Sequence, residues 1–515
     1  MPRATIKLSG INVDLPPWEV PENWTGGENI HFRRGFADRV DGDFPFLTVT
    51  PIPEYIVNSF DAVGNWWVSA SVEQIEANSG AGWTDITPLT YVDANTANGW
   101  TGGVFNGNVI LNSVDNANGW YWDKVDTEMQ DLPNSPTVKA MRPYRDFLIG
   151  MDTSDEIDTS NYQVAEEGIA WSNAAVDIPD TWIPTTSNFA GGRVLGATSG
   201  PVLDGIQLRD AFIIGKSDSI HVMNFIGGQQ VMAIRQLETS GGILARNCLA
   251  EFENVVYMLT NTGDILATDG SNIASIADNM VRDTIFAQLA GGAPRSFVAI
   301  NKTARELWVC PQLNLVKYPQ IIFVFDIDTK QWGLRSVYGT AGDGWPNTGV
   351  AHAVSGVNSS TTVDTWDGGG SETWDTLDGK IWNQSAASPN VLRMIFASPE
   401  FGPGHLMEAD GSVDIRPARA QKDGIRLGDG DEVVTIRRMW LDAETNAAFH
   451  VELGARYGDN DPYVYAPAQD YGPDTQYIPV MSKGREFSVR LTSTGGLSWS
   501  NQSLGFEFSA AAGRF

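Results

Sequence analysis

A short turn-and-strand fragment recurs along this chain, and its recurrence limits the possible folds more than any other feature. Residues 145–150 read RDFLIG and residues 209–215 read RDAFIIG, so each is a polar turn that leads into an apolar strand ending at glycine. Looser versions follow at residues 253–259 and 305–310. One antiparallel sheet cannot bury both of its faces until a neighbouring sheet covers it, so repeated units of this kind are typical of a radial all-β array. The pattern predicts a β-propeller.

Other local signals agree with a mainly antiparallel fold. Asn106-Gly107 lies between two apolar segments, and this dipeptide is a strong hairpin signal because both turn positions accept a positive φ. A polar turn at residues 326–332 separates an apolar strand from Trp332. Residues 278–289 are the helical exception, because Val281, Ile285 and Leu289 recur every four residues. We expect one short connecting helix among many strands.

The length of 515 residues exceeds the roughly 250–300 at which a single core stops growing, so several compact units are expected. The predicted fold class is all-β: a β-propeller with an N-terminal extended arm and a smaller C-terminal β-sandwich-like module. The expected divisions are residues 1–90 for the arm and first strands, 91–355 for the propeller, 356–390 for a protruding Trp-, Asp- and Gly-rich excursion, and 391–515 for the C-terminal module.

The charge of the chain argues against a protein that binds nucleic acid through a basic surface. The chain has 34 basic and 63 acidic residues, and its net charge of −29 opposes attraction to a phosphate backbone.

The two cysteines, Cys248 and Cys310, have neither metal nor redox spacing, so both are interpreted as buried apolar side chains of a protein made in a reducing cytoplasm. No segment has the pattern of a signal peptide or of a membrane span.

A search for catalytic or metal-binding patterns predicts no catalytic residue, no metal site and no cofactor. The five histidines have no metal-ligand spacing, and His221 lies in an apolar strand, which favours a structural role. The acidic loops 428–432 and 458–461 lack the order of a calcium loop and are interpreted as turns. Residues 113–120 approach the Asp-box turn of sialidases, but their glycine and tryptophan are out of step, which favours a plain hairpin turn.

The N-terminal residues carry a resemblance to a known family. Residues 10–18 (GINVDLPPW), Pro21, residues 29–35 (NIHFRRG) and residues 39–42 (RVDG) resemble the opening of the tail nozzle proteins of short-tailed bacteriophages, also called tail tubular protein B or packaged-DNA stabilisation proteins. The similarity continues through residues 210–216, 224–228, 241–245 and 269–270 and the Thr-Trp-Asp repeats at 365–367 and 373–375. It covers most of the first 390 residues, whereas the C-terminal module is similar only in general character.

This resemblance implies a structural virion protein rather than an enzyme. The expected assembly is a homohexameric ring that continues the channel below the portal and the head–tail adaptor, with a tail fibre or tailspike and a distal plug as further partners. Genomic double-stranded DNA would pass through the lumen without sequence-specific binding. Six chains would carry 6 × −29 = −174 formal charges, so acidic groups lining the bore would keep DNA from adhering during ejection.

A ring of this kind closes through contacts between two different faces of each subunit. The arm and the excursion at 356–390 are the expected interface or gate elements. Two alternatives stay open: a glycan-binding or glycan-hydrolysing propeller with a carboxylate-lined central pocket, and a peripheral tail or fibre adaptor. The candidate interface residues are four aromatic packing anchors and one arginine that donates hydrogen bonds to a neighbouring chain: Trp18, Phe32, Trp366 and Trp374, and Arg33.

Overall fold

A computed structural model gives the architecture of most of the chain. The structure describes residues 2–33, 35–49, 51–61, 64–80, 82–155, 164–228, 230–237, 241–289, 291–313, 316–337, 349–357, 392–398, 404–412, 417–428, 432–445, 448–493 and 499–510. The predicted excursion therefore lies outside the described residues, except for residues 356–357 at its start.

The chain is all-β, and the strands before residue 50 serve two different parts of it. They are β1 (Arg3–Lys7), β2 (Ser9–Ile11), β3 (Asn23–Trp24), β4 (Gly26–Glu28), β5 (Ile30–Arg33), β6 (Phe36–Arg39) and β7 (Gly42–Val49). Strands β2 and β3 form a small parallel pair, and the others join sheets formed by later parts of the chain.

Four-stranded antiparallel sheets then follow one another along the chain. Six of them stand alone and a seventh is the first part of a larger sheet, which gives seven units within the described residues. Unit 1 comprises β8 (Tyr55–Phe60), β9 (Asn65–Ala70), β10 (Ile75–Asn78) and β11 (Trp83–Asp85), and unit 2 comprises β12 (Trp100–Phe105), β13 (Asn108–Ser113), β14 (Trp120–Trp122) and β15 (Gln130–Asp131). Unit 3 comprises β16 (Ala140–Tyr144), β17 (Phe147–Met151), β18 (Gly168–Trp171) and β19 (Gly191–Val194). Unit 4 comprises β20 (Val202–Leu208), β21 (Ala211–Lys216), β22 (Ile220–Phe225) and β23 (Met232–Gln236).

The remaining units complete the series. Unit 5 comprises β24 (Leu249–Phe252), β25 (Val255–Leu259), β26 (Ile265–Thr268) and β27 (Ile273–Ser275); unit 6, β28 (Phe297–Asn301), β29 (Glu306–Cys310), β30 (Ile321–Asp326) and β31 (Gln331–Ser336); unit 7, β32 (His352–Val357), β33 (Leu392–Ser398), β34 (Gly404–Ser412) and β7. Helix α1 (Arg282–Gln288) lies between units 5 and 6, within the predicted range, with Ile285 buried. Within the described part of the chain, no helix has the length and hydropathy needed to cross a membrane.

The first strands of the units follow one another in a closed circle. Strand β8 contacts β12, and the series continues through β16, β20, β24, β28 and β32, which contacts β8 again. The sheets are therefore arranged as a propeller-like repeat. Strand β7, from the N-terminal part of the chain, closes the circle as the fourth strand of unit 7, with Leu47 opposite Leu406.

The four sequence fragments that predicted the repeat occupy equivalent places. Each fragment forms the turn after the first strand of its own unit and then the second strand of that unit. The four fragments belong, in order, to units 3, 4, 5 and 6. The backbone is left-handed at Arg145 (φ 52°), Arg209 (φ 51°), Glu253 (φ 49°) and Arg305 (φ 57°). Asn106 (φ 49°) and Gly107 occupy the same hairpin of unit 2. The predicted repeat is confirmed, because one local turn geometry recurs at one place in each of these units.

A second part of the molecule consists of two sheets that share one hydrophobic core; it is called the two-sheet unit below. Its later strands are β35 (Ala418–Ile425), β36 (Val434–Thr445), β37 (Phe449–Arg456), β38 (Val464–Tyr465), β39 (Gln469–Tyr471), β40 (Ile478–Gly484), β41 (Glu486–Ser493) and β42 (Trp499–Ala510). One sheet has the order β5-β6-β42-β36-β40 with β1 on β42, and the other has β38-β37-β41-β35-β4 with β39 on β37. Phe449 and Trp499 stack between them at 5.4 Å.

These sheets change the domain divisions expected from sequence. Residues 3–39 do not form an extended arm, because β1, β4, β5 and β6 pair with strands of the two-sheet unit. Residues 55–85, assigned to the first division, are unit 1 of the circle, and residues 392–412, assigned to the C-terminal module, belong to unit 7. The two parts join through strand β5, where Ile30 pairs with Leu334 of unit 6.

Candidate functional site

A cavity of about 470 Å³ lies along the axis of the circle, and the first strands of all seven units line it. Its walls are mostly small or aliphatic residues, such as Gly103, Ile206, Leu249 and Val298. Small residues suit this position because seven strands converge there. A cavity of this size falls within the range of small-molecule sites, about 300–1,000 Å³.

At one end of the cavity, the lining includes a hydrogen-bonded cluster around Arg142 of β16. The guanidinium of Arg142 binds both carboxylate oxygens of Asp204, at 2.8 and 2.7 Å. It also donates to Tyr55 Oη at 3.0 Å, to the Gly102 carbonyl at 2.9 Å and to Asn247 Oδ1 at 2.5 Å. Burial opposes the charge, but the Asp204 carboxylate holds the pKa of Arg142 above its usual value. One side chain thereby links units 1 to 4 with the segment that enters unit 5.

Neighbouring side chains fix this cluster in place. Asn247 donates its backbone N–H to Asp204 at 2.8 Å and its side-chain amide to Asn98 at 2.6 Å. On the other side, the ring of His352 packs 4.2 Å from that of Tyr55. Burial, followed by the nearby Arg142 charge, lowers the pKa of His352 to about 3, so this histidine is neutral at physiological pH. The cluster is therefore an extensive hydrogen-bond network with a cation at its centre.

The opposite end of the cavity is the mouth, and its side chains are polar. They come from the ends of the first strands and the turns that follow: Asn58, Asn106, Arg145, Gln207, Glu251, Lys302 and Ser355. Glu251 is the one carboxylate among the described lining residues, and it accepts a hydrogen bond from the Asn254 N–H at 2.9 Å. Acid–base hydrolysis of a glycoside would need a second carboxylate facing it. These residues can bind a small polar molecule through hydrogen bonds.

A second cavity, of about 520 Å³, lies where units 6 and 7 meet the N-terminal strands, and it contains Arg33. Arg33 Nη2 lies 2.9 Å from Glu306 Oε1 and 3.5 Å from Asp410 Oδ2. Glu306 also lies 3.3 Å from His31 Nδ1. Although burial opposes ionisation, His31 and Arg33 hold the pKa of Glu306 below its usual value. Arg335 extends the cluster to Asp410 and Asp43.

The structure conflicts with one of the five predicted interface residues. Phe32 is 1% exposed within the core of the two-sheet unit, so it cannot anchor a neighbouring subunit. Arg33 contacts Glu306 and Asp410 of its own chain and keeps about a third of its side chain exposed, so its bond to a neighbouring chain stays a prediction. Trp18 has half of its surface exposed and stays a candidate, whereas Trp366 and Trp374 lie outside the described residues. The predicted set is not brought together in one place.

The remaining sequence interpretations concern histidine, cysteine and the acidic loops. His221 is buried and hydrogen-bonds Ser219 Oγ at 3.2 Å, a structural role. Cys248 and Cys310 are free and buried. At residues 458–461, Asp461 accepts from the Gly458 N–H at 2.8 Å, which makes this loop a closed turn. No group of three potential metal ligands occurs among the residues that the structure covers.

Sequence reasoning missed the Arg142 cluster. Its members lie in five different parts of the chain, so no local spacing reveals them. The available signal was a charged residue within an apolar first strand, as in Met141-Arg142-Pro143 and Leu203-Asp204-Gly205. Such residues must be paired when buried.

Comparison with known proteins identifies no family. No family profile and no curated protein matches this chain. Among solved structures, it is similar to the crystal structure of the computationally designed Ika8 protein, at 12% sequence identity and a TM-score of 0.37, over 78% of this chain and 98% of that one.

Proposed function

We propose that this chain is a seven-bladed β-propeller with an attached β-sandwich, and that it is the subunit of a bacteriophage tail nozzle. In this proposal, six copies form a ring that encloses a passage for DNA. The partners are the head–tail adaptor, a fibre or tailspike, and a distal plug. The protein acts as a structural element of the virion tail, without a catalytic step.

The location of the N-terminal residues is the observation that carries this proposal. The residues that resemble nozzle proteins lie at the joint between the circle of sheets and the two-sheet unit. Asn12 donates to the Asn279 carbonyl at 2.8 Å, and the Asp14 carboxylate accepts from the Asp283 and Thr284 N–H groups at 2.9 Å. Asn29 accepts from the Ser336 N–H at 2.9 Å. The resemblance thus falls on residues that set how two parts of the molecule are held together, as a shared assembly would require.

The size of the central cavity bears on where DNA would pass in this proposal. Hydrogen bonds of Arg142 cross between the units at one end of the central cavity, and about 470 Å³ accommodates a small molecule rather than a duplex. A passage for DNA would therefore run between copies of the chain. The net charge of −29 favours this arrangement, because carboxylates facing the bore would repel the phosphate backbone.

Imaging of virions tests the proposal directly. We expect a six-fold density on the tail axis that antibodies against this chain label, and in which the closed circle of sheets fits as a rigid body. A virion whose axial tail density contains no copy of this chain would refute the nozzle function. Reversal of bore-facing carboxylates to lysine is expected to slow DNA ejection, and an unchanged ejection rate would count against the repelling wall.

The mouth of the central cavity supports one alternative, a glycan-binding propeller of the tail. Its amides and charged groups are of the types that hydrogen-bond sugars, and the cavity has the volume of a small-ligand site. Binding to a panel of host surface glycans, measured with Asn106→Ala as the matched variant, separates this function from the nozzle.

A further inference from the structure

Two exposed surfaces of opposite charge lie on different parts of this chain. The first, called the basic face, is the outer side of the β1-β42-β36-β40 sheet in the two-sheet unit. The second, called the acidic edge, is the outer edge of units 1 and 2. Each also exposes large apolar side chains. Such paired features, at separate places on one molecule, are what a head-to-tail contact between identical chains requires.

The basic face stands out because the chain as a whole is acidic. Trp440 lies across Gly505 of the neighbouring strand, where an added Cβ would come within 2.0 Å of its ring. The guanidinium of Arg3 lies 5.5 Å from the Trp440 ring. Trp440 is partly exposed, and Trp and Arg side chains are typical of the residues that dominate protein interfaces. The face comprises Arg3, Lys7, Arg437, Arg438 and Lys483, the apolar residues Trp440, Tyr477 and Met481, and the carboxylates Glu507, Asp442 and Glu444. Glu507 lies 3.5 Å from Arg3 and 4.0 Å from Arg438, so five basic groups stand against three acidic ones.

The acidic edge has the complementary composition. Residues 71–138 contain nine carboxylate side chains and a single basic residue, Lys124, which is buried beside Asp61. Three aliphatic side chains are exposed among these charges: Leu89 (90%), Val92 (60%) and Val125 (80%). The exposed carboxylates are Glu73, Asp85, Asp93, Asp115, Asp123, Asp126 and Asp131.

The connections of the chain place the two surfaces apart. The two-sheet unit joins the circle at unit 6. Unit 7 separates unit 6 from units 1 and 2 on one side, and units 3, 4 and 5 separate them on the other. A face near unit 6 therefore cannot cover the edge of unit 2 in the same chain, but it can reach that edge in a second copy.

We propose that the basic face of one copy binds the acidic edge of the next, and that this contact closes the ring. The inference rests on the proposed function, because it names the contact that a ring of nozzle subunits would use. A second copy fits better than DNA as the occupant, because the aliphatic side chains of the acidic edge match Met481 and Tyr477, whereas a phosphate backbone offers no apolar partner. DNA and the chain as a whole are both negatively charged, which also opposes the binding of DNA to this face.

A charge-swap experiment tests the contact. Variant A carries Arg438→Glu and Lys483→Glu, and variant B carries Asp126→Lys and Asp131→Lys. Each variant alone is expected to weaken self-association at least tenfold in sedimentation at low salt, because like charges then face each other at the substituted positions. An equimolar mixture should recover association, because A and B alternate with matched surfaces. A control with reversals at the exposed Arg193 and Lys330, outside both surfaces, should associate like the wild type.

Cysteine cross-linking gives a second, independent readout. The chain with Val125→Cys and Met481→Cys is expected to form a disulfide-linked ladder on mild oxidation, whereas either single variant should form at most dimers. Cys248 and Cys310 are buried and do not interfere. Absence of the ladder, unchanged association of A and B, or binding of duplex DNA that is lost in variant A would each overturn the proposal.

The outcomes separate this inference from the proposed function. A ring on the tail axis whose subunits do not cross-link through these cysteines would refute the contact and leave the nozzle function standing. A purified chain that forms the ladder but is absent from the tail would refute the function and leave the contact standing.

Discussion

Removal of the Arg142 guanidinium tests whether the cluster at the axis holds the circle together. The change is Arg142→Met, which keeps most of the side-chain length and deletes the charge. The Asp204 side chain, 1% exposed, would then lose its cation and keep only the N–H groups of Gly205 and Asn247 as donors. We expect a marked loss of stability, because a buried carboxylate without its partner is costly.

The magnitude follows from the geometry. Arg142 makes five hydrogen bonds, to Asp204 twice, Tyr55, Gly102 and Asn247. At about 1 kcal/mol net for each bond, their loss costs about 5 kcal/mol. Breaking a buried ion pair by removing one partner costs about 3–5 kcal/mol. Both routes agree, and with about 2.1 cal/mol/K of unfolding entropy per residue over roughly 370 residues of the circle they correspond to a fall in melting temperature of about 4–6 °C.

Calorimetry of the purified chain measures this fall, with Arg193→Met as the control, because Arg193 is an exposed arginine on the edge strand β19. The double variant Arg142→Met with Asp204→Asn should recover part of the loss, because it removes the unpaired charge. A fall of less than about 2 °C in the single variant would refute the reasoning, because the cluster would then contribute no more than an exposed contact.

Three further predictions concern packing, titration and reactivity. Gly242→Ala should lower the melting temperature strongly, because the new Cβ would lie 2.1 Å from the Lys216 carbonyl oxygen, whereas Gly291→Ala meets no atom within 4 Å and should be nearly neutral. Burial lowers the pKa of Lys422 from its usual 10.5 to about 8, so the unfolded chain binds this proton more tightly. Stability relative to Lys422→Met should therefore rise with pH between about 8 and 10.5, as pH-dependent melting will show. Cys248 and Cys310 are buried and burial raises the pKa of both thiols, so a maleimide should label them only after unfolding, as mass spectrometry can measure.

The repeat could be predicted from sequence because its signal is local. The turn at Arg145 or Arg209 and the strand after it lie within seven residues, and a left-handed turn residue followed by an apolar strand has the same meaning wherever it occurs. Asn106-Gly107 carried the same information for unit 2. Helix α1 was found by its four-residue period for the same reason.

The N-terminal strands could not be predicted in this way, because their partners are distant in sequence. Arg3 pairs with Glu507, Ile30 with Leu334, and Leu47 with Leu406. A strand whose partner lies several hundred residues away looks like an extended arm when only its own neighbours are considered. Phe32 was assigned to an interface for the same reason.

The acidic edge and the basic face also differ in whether their residues are close together in the sequence. The acidic edge is visible in the sequence, because residues 40–123 contain neither lysine nor arginine. The basic face is not, because Arg3 and Arg438 become neighbours only when β1 and β36 pair with opposite sides of β42.

Closure of the molecule depends on the contacts that the sequence hides. Unit 7 is complete only when β7 pairs with β34, and the two-sheet unit only when β1 pairs with β42. Arg33 then connects Glu306 of unit 6 with Asp410 of unit 7. Because these contacts join the first fifty residues to both later parts of the chain, the circle and the two-sheet unit depend on one shared segment. The N-terminal segment thereby fixes the basic face relative to the acidic edge, which a ring with a fixed angle between subunits requires.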